Sequence, residues 1–168
     1  MQPLTDSRFS HTASWLARMA GIFLGAVFLW AAWKKIAPLG SPNPPQVFAS
    51  SITAYKLGLP DWLVTFSTFA VPWTELLAGV ALILGLWTRA AAGIIVAMLL
   101  LFIGLGISAL VRGLEIKCGC FGDGTLFCTG GLGWCHIREN LFLTSLGVLC
   151  VLARPRGTLD ELLGRKTF

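Results

Sequence analysis

Four of the five cysteines fall within eighteen residues, as Cys118-Gly119-Cys120-Phe121-Gly122 followed by Cys128 and Cys135. Thiols at this density fit three kinds of chemistry. They could close two stable disulfides that pin a loop, and four cysteines allow three connectivities. They could form a four-thiolate metal site, although the spacing lacks the C-x2-C knuckles of common zinc sites. They could also be a thiol–disulfide exchange centre. A Cys118–Cys120 disulfide would close a very small ring, far from relaxed geometry, and strained disulfides are the easily reduced ones. Gly119 is the residue type that best tolerates such a turn. Cys128 and Cys135 would supply the second pair that a relay needs to pass a disulfide on. Lys117 precedes Cys118, and His136 and Arg138 follow Cys135 near a predicted helix start. Positive charge and a helix N-terminus both favour the reactive thiolate.

Glu75 is the other unusual residue. It lies in Pro72-Trp73-Thr74-Glu75-Leu76-Leu77, inside an apolar run where a carboxylate is costly. Pro72 frees backbone groups that other polar atoms must satisfy. Three roles are open: an ion pair with Lys34, Lys35 or Arg138, a protonated carboxyl hydrogen-bonded to a neighbour, or a proton or quinone-headgroup site. Cys150 stands alone in a later apolar run, where a thiol behaves as a small hydrophobe. His136 also suits a plain interfacial position. No nucleotide loop, haem motif or hydrolytic triad accompanies these residues.

The composition says what kind of scaffold must hold them. Of the 168 residues, 55% are hydrophobic and 12% charged, with a mean hydropathy of +0.76. A soluble domain carries about a quarter charged residues and, at this size, leaves much of its surface exposed. Lipid is therefore the solvent for most of the chain, which excludes a cytosolic enzyme, a disordered regulator and a small secreted disulfide scaffold. Four apolar runs stand out: Trp15 to Ile36, Leu63 to Trp87, Ala90 to Val111 and Ile137 to Ala153. About 20 apolar residues cross a bilayer. The first three runs reach that length, and the fourth spans if Arg138 and Glu139 snorkel to the interface. The expected fold is an all-α integral membrane protein over residues 1–168, a single four-helix bundle with a short interfacial helix and a cysteine-rich outer loop.

Thr88-Arg89 is the expected break between the second and third spans, making a tight antiparallel hairpin. The other connections share the opposite face. The first, Ala37 to Asp61, presents Phe48, Ile52, Tyr55 and Leu59 as one apolar stripe after a proline-rich start, suiting the interfacial helix. The second, Arg112 to His136, carries the cysteine cluster. Gly21-x-x-x-Gly25 offers a small face for close helix approach. The net charge of +5 comes from basic residues at the ends of apolar runs, which read as membrane flanks rather than a nucleic-acid surface. Arg8, Arg18, Arg89, Arg154, Arg156, Arg165 and Lys166 share the face of the termini, against Lys34, Lys35, Lys56, Arg112, Lys117 and Arg138 on the other. Seven against six is close to even; the tight Arg89 turn and the Arg154/Arg156 pair, with thiols clustered in one loop, point to cytoplasmic termini and an outer cysteine loop.

Several segments resemble the MauE family of methylamine-utilisation membrane proteins, within the DoxX-like group. They are Gly25 through Lys35-Ile36, Phe48-x3-Ile52-x2-Tyr55 with Leu59-Pro60, and Glu75-Leu76-Leu77-Ala78-Gly79. Cys118-Gly119-Cys120-Phe121-Gly122 and Arg138-Glu139-Asn140 complete the set, which covers most of the chain. The resemblance implies a bacterial inner-membrane protein linked to periplasmic disulfide chemistry, acting with a thioredoxin-fold partner on a disulfide-containing client. It marks Cys118 and Cys120 as redox candidates and Glu75 as a family-like polar position. A quinone is compatible with the membrane side of such chemistry, although no motif specifies one. The alternative is a non-catalytic assembly factor or small subunit whose loop disulfides are structural.

Overall fold

The computed structural model describes residues 5–36, 44–114, 116, 128 and 131–153. These form helices α1 (Thr5–Ile36), α2 (Pro44–Ala54), α3 (Asp61–Leu84), α4 (Thr88–Val111) and α5 (Trp134–Leu152). All but α2 are long and apolar enough to cross a membrane, so the chain is an all-α, four-span bundle. Lys117, Cys118 and Cys120 lie outside the described residues.

Each spanning helix buries a stripe with the 3.5-residue spacing of helix bundles. On α1 it runs Ser14, Ala17, Gly21, Leu24, Phe28, Ala31, Lys35. On α3 it runs Thr68, Pro72, Glu75, Gly79, Leu82. On α5 it runs His136, Asn140, Leu143, Gly147, Cys150. The apolar members meet in one core that includes Leu24, Phe28, Leu82, Ile95, Leu99 and Leu143. Apart from Ser14 near the start of α1, the polar members collect toward the end of the bundle that holds Lys35 and the start of α5.

Contacts along the stripes set the helix directions. From α1 to α3, Arg18 meets Leu82 and Ile83, Gly25 meets Gly79, and Lys35 meets Glu75, so the two are antiparallel. Between α4 and α5, Ala92 and Val96 meet Gly147 while Gly106 meets Ile137. A Cβ on Gly25 would lie 2.8 Å from the Gly79 carbonyl oxygen, and one on Gly79 would lie 2.9 Å from that of Gly25. The Gly21-x-x-x-Gly25 face is thus divided between two neighbours. Gly25 lets α3 approach, whereas Gly21 faces the sulfur of Cys150 on α5.

The hairpin between α3 and α4 turns at residues 85–87, not at Thr88-Arg89, which begin α4. Gly85 stops α3 in the left-handed region at φ 76°, its N–H donating to the Ala81 carbonyl. Helix α2 starts on Pro44 and Pro45, where a missing N–H costs least. Phe48 on its inner side and Tyr55 just past its end are buried, but the helix ends before Leu59, the last residue of the expected stripe.

Helix C-termini leave carbonyls without intrahelical partners, and near lipid these must be satisfied by protein. Three arginines do this for neighbouring helices. Arg18 donates to the Leu82 and Ile83 carbonyls at the end of α3, both at 2.9 Å. Arg89 donates to Val151 of α5 at 3.1 Å. Arg112 donates to Tyr55 and Lys56, just past α2, at 2.9 and 3.1 Å.

Gly25→Leu should force α1 and α3 apart and destabilise the bundle by about 1–3 kcal/mol, as overpacking does. Gly93→Ala and Gly104→Ala have open space around the new methyl. They should be neutral or stabilising by up to about 1 kcal/mol. Thermal unfolding of the purified protein in detergent distinguishes the two classes.

Candidate functional site

Lys35 and Glu75 form a salt bridge of 2.5 Å with side chains only 2% and 1% exposed. Glu75 lies fourteen residues beyond Asp61, about 21 Å of helix rise, deep in a hydrocarbon core about 30 Å thick. The helix directions explain how the two meet. Side chains lean toward the N-terminus of their own helix, so in antiparallel α1 and α3 Lys35 leans inward and Glu75 leans toward it. The Lys35 ammonium also lies 5.2 Å from the Phe48 ring and 5.9 Å from the Phe102 ring, whose faces attract a cation. Of the three partners open to Glu75 in the sequence, Lys35 takes the role. Lys34 is exposed and lies 5.8 Å from the Trp30 ring.

On α5 the first turns are polar on their inner face. His136 and Asn140 are each 3% exposed, and Glu139 and Thr144 are buried with them. Arg138 is exposed, as a snorkelling residue should be. Glu139 instead turns inward, and His136 is buried within the bundle in the first turn of α5. Both follow from the stripe, which faces the core at positions 136, 139 and 140 and outward at 138. Among the described residues, four buried polar atoms have no hydrogen-bond partner: Glu75 Oε2, both ring nitrogens of His136 and Asn140 Oδ1. Each such atom costs about 1–3 kcal/mol. Together they would rival the whole stability of a typical domain, about 5–15 kcal/mol.

At the start of α5, Cys128 and Cys135 form a disulfide. Cys128 is 3% exposed, whereas Cys135 is exposed in the first turn of α5. The helix begins at Gly133 without a side-chain cap, leaving its positive end beside Cys135. The Leu132 N–H donates to the Ile116 carbonyl at 2.8 Å, tying together the two ends of the cysteine-rich segment. Leu132 also packs against the core. Cys150 is buried and unpaired by any disulfide. Its Sγ lies 3.3 Å from the Ala17 carbonyl oxygen, and its place is structural.

The sequence profile described as methylamine utilisation protein MauE matches residues 13–153, from the first span to the end of the fourth. The chain belongs to the MauE family. No curated protein and no solved structure matches it. The matched residues include the four spans, the ion pair and the disulfide. Asn140 and Glu139 stand in the Arg138-Glu139-Asn140 segment of the sequence, where composition and motif spacing assign them to no site. Their register with Leu143, Gly147 and Cys150 is the signal that finds them.

Glu75→Leu leaves Lys35 as a buried unpaired cation and should cost about 3–5 kcal/mol, whereas Lys35→Met/Glu75→Leu should recover most of that loss. Unfolding midpoints of the single and double variants give the comparison. A double variant no better than the single would show that the pair does not act as a unit.

Proposed function

We infer that this MauE-family membrane protein exchanges disulfides through its cysteine-bearing face, in support of the maturation of a disulfide-containing client. The observation that carries this reading is the Cys128–Cys135 disulfide at the α5 N-terminus, with Cys135 exposed. An attacking thiolate needs access to one sulfur, and the thiol displaced leaves more readily as its thiolate is stabilised. The segment with Cys118 and Cys120 departs from Ile116, which is bonded to Leu132 close to this disulfide. In this reading Cys118 and Cys120 are the exchanging pair, and Cys128 and Cys135 the shuttling or structural one. A thioredoxin-fold protein is the partner, and a quinone is a compatible electron carrier in the membrane. Cytoplasmic termini and a periplasmic cysteine face in a bacterial inner membrane complete the proposal.

The burial of Cys128 favours a second reading, in which the disulfide merely staples the loop of a non-catalytic assembly factor. Titration of the purified protein against glutathione and dithiothreitol buffers, read by mass-shift alkylation, separates the two. Exchange requires one pair with a potential distinctly above about −300 mV, while structural disulfides lie below it. Cys118→Ser/Cys120→Ser should abolish client disulfide formation and leave the protein in the membrane. Normal client maturation in that variant would sink the exchange reading.

A further inference from the structure

The unpartnered atoms on α3 and α5 fall within about one helix turn of one another in depth. Gly106 of α4 backs onto Ile137 of α5 in an antiparallel pair. One turn back along α4 is Phe102, and one turn on along α5 is the level of Asn140. The Phe102 ring lies 5.9 Å from the Lys35 ammonium, which is bonded to Glu75. Asn140 of α5 therefore lies at the level of the Lys35–Glu75 pair, with Glu139 beside it in sequence and His136 one turn nearer the start of α5, all of them buried. Phe102 contributes from α4 and Phe48 from α2.

We propose that Glu75, His136 and Asn140 enclose an internal water site within the membrane-spanning bundle, whose protons exchange with bulk water. The ligand follows from the unpartnered atoms. Glu75 Oε2 and Asn140 Oδ1 accept hydrogen bonds, and a neutral imidazole offers one donor and one acceptor. Water donates twice and accepts twice, and a buried water takes two to four polar partners. A metal ion does not suit the set, since no cluster of three metal-ligating side chains occurs among the described residues. Lipid cannot satisfy these groups, and they lie on stripes that packing turns inward. The cysteine-bearing face is the nearer route to bulk water, because His136 stands in the first turn of α5, next to exposed Cys135. The proposal is independent of whether the cysteines exchange disulfides.

The chain contains two histidines, so His11→Gln leaves His136 as its single imidazole. The full-length variant, labelled with ¹⁵N-histidine in lipid bilayers, should show rapid transfer of magnetisation from water to the His136 ring in water-edited solid-state NMR. Build-up as slow as that of buried core methyl groups would overturn the proposal. Stability gives a second test of opposite sign. If the layer were dry, His136→Phe and Asn140→Leu would remove unsatisfied atoms and raise the melting midpoint. With shared water, each lowers it by about 3 °C or more, and the double variant loses less than the sum. A raised midpoint in both single variants would likewise overturn it.

Discussion

A lysine and a glutamate forty residues apart in sequence meet in the membrane interior, and the arrangement of the first three helices follows from that meeting. Neither charge is tolerable there alone. Bringing them together requires α1 and α3 to run antiparallel in one register, which the facing glycines Gly25 and Gly79 allow by removing the side chains between the two backbones. It also requires cover on the outer side of the pair. Helix α2 supplies Phe48, and α4 supplies Phe102. A pair left open to lipid would gain nothing from the aromatic faces and would leave two polar groups against hydrocarbon.

The same demand, that no polar group face lipid unsatisfied, shapes the helix ends. Arg18, Arg89 and Arg112 each reach the last carbonyls of another helix, so they join α1 to α3, α4 to α5 and α4 to the end of α2. A cation is favoured at a helix C-terminus by the local dipole as well as by the hydrogen bonds. In the sequence these residues read as flanking charges and as votes on orientation. In the fold they are interhelical ties whose placement is required by packing, which weakens them as independent topology signals.

The two chemical features lie at the same end of the bundle and are linked through α5. Its exposed first turn carries Cys135 and Arg138, while its buried face carries His136, Glu139 and Asn140. A single helix thereby presents sulfur outward and hydrogen-bonding groups inward. The rigid base for both is the Ile116–Leu132 hydrogen bond together with the packing of Leu132 on the core.

Hydropathy and length alone determined the four spans, the short helix between the first two and the placement of four cysteines in one connection. These are local properties, since each helix in lipid must satisfy its own backbone and each span must match the bilayer. The turn at residues 85–87 shows the limit of that reading, because hydropathy marks Thr88-Arg89 but the left-handed Gly85 ends the helix sooner. The 3.5-residue stripes were also present in the sequence, and they carry Glu75, His136 and Asn140 in register with the core. Only the tertiary structure decided that Lys35, rather than Lys34 or Arg138, answers Glu75, and that Gly21 and Gly25 serve different helices. Such choices depend on which face of one helix meets which face of another. That is set by the close packing of residues distant in sequence, and no local pattern encodes it.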